Sequence, residues 1–199
     1  MSLKQAFHFK LTTMGIVMIP IAVAVNFVGK EIANVLNLPM WLDSIGTVLA
    51  AVVAGPWIGA ISGAVNNVFF GLTMDGGLSI MYGLTSIAIA IVAGILAYYG
   101  WFKSVGKAIV AGIILALVAS VVSTPINVGL WGGQTGKAWG DAIFAGMMAS
   151  HAGIWLSSWV DEVTMDIIDK IVIAIVVYFI MLGLPKRFLQ SFQSTTIEG

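Results

Sequence analysis

Polar side chains that could bind a small molecule are scattered through long apolar stretches of this chain. Two adjacent amides, Asn66 and Asn67, lie inside one stretch, and Asp43, Tyr82 and Asn127 lie near the ends of others. Polar groups are costly in apolar surroundings, so they are functional candidates by default. Amides and hydroxyls can hold a polar heterocycle by hydrogen bonds. The structural alternative for each residue is a hydrogen bond between helices or a helix cap, and Asp43 suits a helix N-terminus.

Tryptophans could supply the flat apolar surface of such a site. Trp155 and Trp159 are four residues apart, so they share one face of a helix and could stack on a flat ring. Trp41 and Trp131 are further candidates. The alternative for all four is the aromatic belt, which places tryptophan at membrane–water interfaces.

An acidic segment opens the last apolar stretch, beginning with Asp161 and Glu162. Asp166 and Lys170 are four residues apart, so we expect them to form an ion pair on one helix. The remaining acidic groups are either solvated or give the site a negative potential that favours neutral or cationic solutes. His151 is either a substrate contact or a structural hydrogen-bonding residue.

Catalytic and metal chemistry find no support in the sequence. The chain has no cysteine, and Ser62 lies in Gly-Ala-Ile-Ser-Gly, which is not the nucleophile motif Gly-x-Ser-x-Gly. No cluster has metal-ligand spacing, and no phosphate-binding loop is present, so the chain cannot hydrolyse ATP itself. We therefore predict a protein that is not an enzyme and that has no metal and no cofactor of its own.

The composition indicates that these residues lie in an integral membrane protein. Hydrophobic residues make up 59% of the 199 residues and charged residues 9%, and the net charge is zero. Soluble domains have about 25% charged residues, so this chain has too little polar surface for a soluble globule. The zero net charge gives no reason to expect a nucleic-acid partner.

Hydrophobic runs predict an all-α membrane domain of six spans covering the whole chain. A span needs about 20 apolar residues, or about 17 at the short end. Gly55-Pro56 separates two spans with almost no loop, and Pro125 and Pro185 are predicted to end the last two. The predicted spans are residues 11–32, 40–54, 56–72, 78–98, 106–124 and 163–184.

The sorting of charge predicts that both termini are cytoplasmic. If the N-terminus is inside, the inner segments contain six basic residues and the outer loops only Lys30 and Lys137. Cytoplasmic loops carry an excess of lysine and arginine, so six against two supports this orientation. The inner six are Lys4, Lys10, Lys103, Lys107, Lys186 and Arg187.

Residues 139–160 do not fit a six-span scheme directly. The segment is mostly apolar but contains Asp141, Ser150 and His151. We interpret it as an extra helix, or a broken helix, on or dipping into the outer face between spans five and six. The alternative is a seventh span, which would place Lys186 and Arg187 outside.

A hairpin motif connects the chain to a known family. The motif comprises LDSIGT at 42–47 and AGPWIGAISGAVNN at 54–67. It resembles the substrate-binding S components of energy-coupling-factor (ECF) vitamin transporters, in which Gly-Pro-x-x-Gly-x-x-x-Gly joins spans two and three. Many of those proteins carry an acidic residue just after the hairpin, where this chain has Asn66 and Asn67.

This resemblance implies partners as well as a fold. It implies a chain of about this length with six spans and both ends cytoplasmic, and an ABC-type importer in which a coupling subunit and two separate ATPase subunits supply the energy. The family docks through small residues on span one, for which Pro20 and Ala22 are the candidates here. Gly59 and Gly63 stack on one face of span three, where small residues allow close helix packing.

The sequence therefore predicts a multi-pass subunit of a prokaryotic cell membrane that takes part in vitamin uptake. We expect it to capture a small vitamin or precursor at the outer face, with a flat heterocycle such as pyridoxine or hydroxymethylpyrimidine as the favoured substrate. Pantothenate or another vitamin is an alternative substrate. The alternative functions are a membrane sensory domain and a small self-sufficient transporter, although no inverted repeat favours the latter.

Overall fold

A computed structural model describes residues 12–185, 187–189 and 192 of the chain, and this part is helical with no β-strand. Two short 3₁₀ helices cover Leu78–Tyr82 and Trp101–Lys103. The α-helices with defined bounds are α1 (Thr13–Val35), α2 (Ile45–Ala54), α3 (Pro56–Thr73), α4 (Gly83–Tyr98), α5 (Val105–Trp131), α6 (Ala138–Ala149) and α7 (Ile154–Gly183).

Among the described residues, three helical segments are long and apolar enough to cross a membrane. They are Thr13–Val35, Leu78–Tyr98 and Val105–Trp131, of 23, 21 and 27 residues. Each residue of an α-helix rises 1.5 Å, so segments of this length match the hydrocarbon core of about 30 Å. Large apolar side chains of α1 remain exposed, such as Val28 at 55%, as expected of a surface that faces lipid.

Local sequence signals set several helix ends. The Thr12 hydroxyl accepts a hydrogen bond from the Gly15 N–H at 3.0 Å and caps the N-terminus of α1. Gly55 has a φ of +97°, which suits glycine, and it separates α2 from α3, which begins with Pro56. Gly132, with a φ of +65°, ends α5.

Small residues bring the helices together closely. A methyl group added at Gly112 of α5 would lie 2.6 Å from the Cα atom of Ile171 in α7. A methyl group at Gly46 of α2 would lie 2.0 Å from the carbonyl oxygen of Ala22 in α1. Such contacts are typical of membrane helices, which associate by packing rather than by the hydrophobic effect.

An amide from α1 also caps the start of α2. Asn26 Oδ1 accepts the backbone N–H of Gly46 at 2.7 Å, and Asn26 Nδ2 donates to Thr47 Oγ1 at 2.9 Å. All three residues are buried. Asn26 therefore caps the N-terminus of α2, whose own N-cap residue, Ser44, makes no side-chain cap hydrogen bond.

The predicted boundaries of the fifth and second helices differ from the structure. The fifth helix does not end at Pro125 but continues to Trp131, and the hydroxyls of Ser123 and Thr124 donate to carbonyl groups of the preceding turn. Polar side chains of this kind help membrane helices to accommodate a proline. The second helix begins at Ile45 rather than at residue 40.

The segment 139–160 is a broken helix, one of the two forms that we expected. α6 ends at Ala149, His151 adopts a φ of +61° and Gly153 a φ of +78°, and α7 begins at Ile154. The last helix therefore starts nine residues before the predicted residue 163. Residue 11, where the first span was predicted to begin, lies outside the described residues, as do Lys4, Lys10 and Lys186.

Candidate functional site

A polar cavity of about 250 Å³ lies among the helices. Its wall takes residues from α1, from the turn before α2, from α3, α4, α5 and α7, and from the two loops that follow α3 and α5. Four carboxyl groups (Asp43, Asp75, Glu162 and Asp166) face two ammonium groups (Lys30 and Lys170). The wall therefore has an excess of two carboxyl groups, which favours neutral or cationic solutes.

The central charged group of the cavity is Lys170 of α7. Its Nζ atom lies 2.5 Å from Asp169 Oδ2 and 3.4 Å from Asp166 Oδ1, which confirms the ion pair expected from the spacing of Asp166 and Lys170. The three side chains are at most 5% exposed. Buried charges persist only when they are paired in this way.

Asp169 also holds the turn that precedes α2. Its Oδ1 atom accepts the backbone N–H groups of Trp41 at 3.1 Å and Leu42 at 2.8 Å. Leu42 has a φ of +53°, a region that costs most residues other than glycine about 1–2 kcal/mol. The carboxylate thus stabilises an unfavourable turn and places Trp41 at the cavity wall.

A second chain of hydrogen bonds runs along the cavity wall from α7 to the loop after α3. Glu162 Oε1 accepts a hydrogen bond from Asn127 Nδ2, and Asn127 Oδ1 accepts one from the hydroxyl of Tyr82. Glu162 and Asn127 are 4% and 2% exposed. Because each amide atom is taken by a different partner, Asn127 fixes the positions of both neighbours.

Asn67 of α3 is held by α4. Its Nδ2 atom donates to the carbonyl oxygen of Gly63 at 2.8 Å and to Ser86 Oγ at 2.7 Å. Both donor positions of the amide are therefore used within the protein. The part of Asn67 left for a ligand is its acceptor oxygen.

Groups from α1 and from the loop after α3 complete the wall. The Ser79 backbone N–H donates to Asp75 at 3.1 Å, and the Ser79 hydroxyl donates to the same carboxylate. Partial burial raises the pKa of Asp75, but the hydrogen bonds from Ser79 outweigh it and lower the pKa below its usual value. Lys30 Nζ lies 4.0 Å above the ring of Phe70, in a cation–π contact.

Three oxygen atoms of the wall have no hydrogen-bond partner among the described residues. They are Ser44 Oγ, Thr85 Oγ1 and Asp166 Oδ2. Their residues are 2%, 9% and 4% exposed. Buried polar atoms are normally satisfied, so these three atoms are candidates for hydrogen bonds to a bound molecule.

The comparison with protein families decides the identity. The family of the ECF transporter substrate-specific component matches residues 14–190, which is most of the chain. This chain belongs to that family. Neither the search of curated proteins nor the search of solved structures gave a match.

Membership settles the general role. A substrate-specific, or S, component is a membrane-embedded transport subunit that binds the substrate and is not itself catalytic. It works with an ECF module of a transmembrane T subunit and ATPase subunits. Among the described residues of this S component, no group of three or more His, Asp or Glu side chains could hold a metal ion.

The structure brings most of the sequence-predicted site residues of the S component to the cavity wall and leaves four elsewhere. Those at the wall are Trp41, Asp43, Asn67, Tyr82, Asn127, Trp131 and Glu162. Those elsewhere are Asn66, which is buried outside the cavity lining, and His151, Trp155 and Trp159, which are exposed.

The exposed positions of Trp155 and Trp159 follow from the start of α7. Ser158, Asp161 and Glu162 occupy the buried face of this helix, so Trp155 and Trp159 point to the other side, with exposed fractions of 59% and 38%. They do share one helix face, but this face is not that of the cavity.

Several wall residues of the S component were not among the sequence candidates. Ser44, Thr85, Ser123 and Thr135 carry small hydroxyls that usually bond within their own helix or turn, and so give a weak signal in sequence. The sequence identifies Asp166 and Lys170 only as an ion pair. The one available signal was a carboxylate inside a predicted span, which is a functional candidate by default.

The two docking candidates differ in accessibility. Pro20 is exposed and lines a nearly apolar groove between α1 and α3. Ala22 has no exposed surface and packs on Gly46 of the same chain, so the structure assigns it to internal packing rather than to a docking surface. Gly59 packs on Ala51 of α2, where an added methyl group would lie 2.6 Å from its Cβ atom.

Proposed function

We propose that this S component captures a small vitamin or vitamin precursor at the outer face of a prokaryotic cell membrane and delivers it to its ECF module. The observation that carries the proposal is the polar cavity, which combines aromatic side chains with hydrogen-bonding groups. At about 250 Å³, the cavity is slightly smaller than the usual range of ligand pockets, about 300–1,000 Å³. It therefore suits a small ligand.

A flat, neutral or cationic heterocycle such as pyridoxine or hydroxymethylpyrimidine fits this wall best. Trp41, Tyr82 and Trp131 offer aromatic surface, and Asn67 and Glu162 offer acceptor oxygens. The excess of two carboxyl groups disfavours an anionic vitamin such as pantothenate. The other predicted contacts, Asp43 and Asn127, lie at the same wall.

We further propose six membrane segments with both termini cytoplasmic. These are α1, α2, α3, residues 78–98, α5 and α7, with residues 36–44 extending the short α2 across the membrane. Lys107 and Trp131 mark opposite ends of α5, which is about 40 Å long by its 27 residues, so the cavity end lies far from this basic end. The basic end is the cytoplasmic one by the distribution of positive charge.

Labelling of single cysteines tests this orientation, because the chain has no cysteine of its own. Ser104 precedes α5 and Ser150 follows α6, and both are exposed. A maleimide that cannot cross the membrane should label Ser150→Cys in intact cells, and Ser104→Cys only after lysis. Labelling in the opposite order would refute the orientation.

Co-purification tests the transport role. The tagged chain, expressed with T and ATPase subunits in native-like lipid, should recruit them, and mass spectrometry should detect a small heterocycle in the complex. An established S component serves as the positive control. If only that control recruits the subunits, the transport role is refuted and a sensory role becomes the better explanation.

We place the T-subunit contact at the apolar groove between α1 and α3, where Pro20 and Ala24 are exposed. Ala24→Trp should fill this groove and reduce recovery of the T subunit while leaving ligand binding intact. Val121→Trp, at an exposed position of α5, is the matched control. Equal recovery for the two variants would contradict this placement.

A further inference from the structure

Three residues from three different parts of the fold line the cavity and carry a buried oxygen atom without a partner. Ser44 lies in the turn before α2, Thr85 in the first turn of α4, and Asp166 in α7. Within the described residues none of Ser44 Oγ, Thr85 Oγ1 and Asp166 Oδ2 has a hydrogen-bond partner. A buried polar atom without a partner is costly, so three at one cavity point to a ligand.

Other polar groups of the wall already have partners in the protein. Glu162 accepts from Asn127, Asn67 donates to Ser86, and Ser79 donates to Asp75. Asp166 has one paired and one unpaired oxygen atom. Its Oδ1 atom pairs with Lys170 at 3.4 Å, whereas Oδ2 has no partner among the described residues. Ser44 Oγ, Thr85 Oγ1 and Asp166 Oδ2 are therefore the buried wall atoms without a partner among the described residues.

We propose that Ser44, Thr85 and Asp166 form the set of residues that determines substrate specificity in this S component. A carboxylate oxygen only accepts hydrogen bonds, so the substrate must present a donor to Asp166: an amine, a ring N–H or a hydroxyl. Each hydroxyl can donate or accept, so Ser44 and Thr85 bind two further polar substituents. The inference rests on the proposed vitamin-binding function and narrows its substrate class.

The substrate is thus a donor-bearing heteroaromatic compound without a carboxylate. Lys170 Nζ lies 5.9 Å from the ring centre of Trp41 and 3.4 Å from Asp166 Oδ1. Trp41 and the Asp166 carboxyl group therefore both lie close to Lys170. A ring stacked on Trp41 would direct a substituent towards Asp166, and the ammonium of Lys170 is already occupied by Asp166 and Asp169.

A panel of four probes tests the substrate class. Pyridoxine and hydroxymethylpyrimidine are uncharged rings with donors, whereas nicotinate and pantothenate carry a carboxylate, and nicotinate shares the pyridine ring of pyridoxine. Dissociation constants are measured by calorimetry on the full chain in lipid nanodiscs. We expect at least one uncharged probe to bind more tightly than either carboxylate.

Three variants test the residues, and a fourth serves as a matched control. Ser44→Ala and Thr85→Val should each weaken binding of the uncharged probe about fivefold to tenfold, and Asp166→Asn about tenfold to a hundredfold, because hydrogen bonds to charged groups are stronger. Ser158→Ala removes another buried hydroxyl that lacks a partner but does not line the cavity. It should change affinity by less than about twofold.

The outcomes separate this inference from the proposed function. Binding of a carboxylate probe alone would overturn the substrate class but leave vitamin binding intact. An uncharged probe that binds the Ser44, Thr85 and Asp166 variants as tightly as the wild type would overturn the specificity set. Binding of none of the four probes would overturn the inference as well. The transport role is tested separately, by recruitment of the T and ATPase subunits.

Discussion

Replacement of Asp169 should weaken substrate binding although this residue does not line the cavity. Asp169 Oδ1 accepts two backbone N–H groups, those of Trp41 and Leu42, and Oδ2 contacts Lys170. Asp169→Ala removes all three interactions. Lys170 keeps Asp166 as a partner at 3.4 Å, so the buried ammonium group is still paired with a carboxylate.

The size of the effect follows from the two hydrogen bonds. A hydrogen bond to a charged acceptor contributes about 1.5–3 kcal/mol, so the turn loses at least about 3 kcal/mol of restraint. The backbone of Leu42, at a φ of +53°, costs about 1–2 kcal/mol and favours release of the turn. If substrate binding needs Trp41 in place, the lower figure of about 3 kcal/mol corresponds to a loss of affinity of about 150-fold.

Asp169→Asn separates the hydrogen bonds from the charge. Its amide oxygen can still accept both N–H groups, so we expect a smaller loss, on the order of tenfold. Asp141→Ala is a matched control, because Asp141 also accepts a backbone N–H, from Gly136, but lies outside the cavity lining. This control should bind with unchanged affinity.

The assay is calorimetry with whichever of pyridoxine and hydroxymethylpyrimidine binds the wild-type protein, on samples whose thermal unfolding shows that they are folded. A double-mutant cycle with Trp41→Ala then tests the mechanism. If Asp169 acts through Trp41, the two losses should not add. Fully additive losses, or wild-type affinity in folded Asp169→Ala, would refute the reasoning.

Further predictions concern close helix packing. Gly112→Ala places a methyl group 2.6 Å from the Cα atom of Ile171, so we expect about 1–3 kcal/mol of destabilisation in thermal unfolding, whereas Gly106→Ala in the same helix meets nothing within 4 Å and should be neutral or slightly stabilising. Equal melting temperatures for these two variants would contradict the packing of α5 on α7. Gly140→Ala places a methyl group 2.1 Å from Asp161 Oδ1 and should push α6 away from α7, seen as faster proteolysis of the 132–137 loop. Gly146→Ala meets nothing within 4 Å and should leave the rate of cleavage unchanged.

The sequence was sufficient for the class of protein and for its family. The low fraction of charged residues indicates a membrane protein, and the glycine-proline hairpin at 54–63 resembles ECF S components, which the family comparison confirms. Seven of the eleven candidate contacts lie at the cavity wall. These candidates could be found from the sequence because a polar residue is rare within an apolar helix and can be recognised without knowing its neighbours in the fold.

The sequence was less informative about residues whose role depends on helix continuity. Trp155 and Trp159 are four residues apart, but the periodicity alone does not say which side of α7 is buried. That side was decided by the early start of α7 at Ile154, which places Ser158, Asp161 and Glu162 inside. The continuation of α5 through Pro125 similarly places Trp131 at the cavity.

The amino-acid sequence by itself determined that this is a membrane protein, that it is helical, and which family it belongs to, because these properties depend on composition and on local patterns. Only the tertiary structure decided which polar groups remain free. Asp166 and Asp169 are three residues apart in one helix. Asp169 accepts hydrogen bonds from the backbone of Trp41 and Leu42, whereas Asp166 Oδ2 has no hydrogen-bond partner among the described residues. The difference arises because hydrogen-bond partners 127 and 128 residues away reach only one of the two carboxylates.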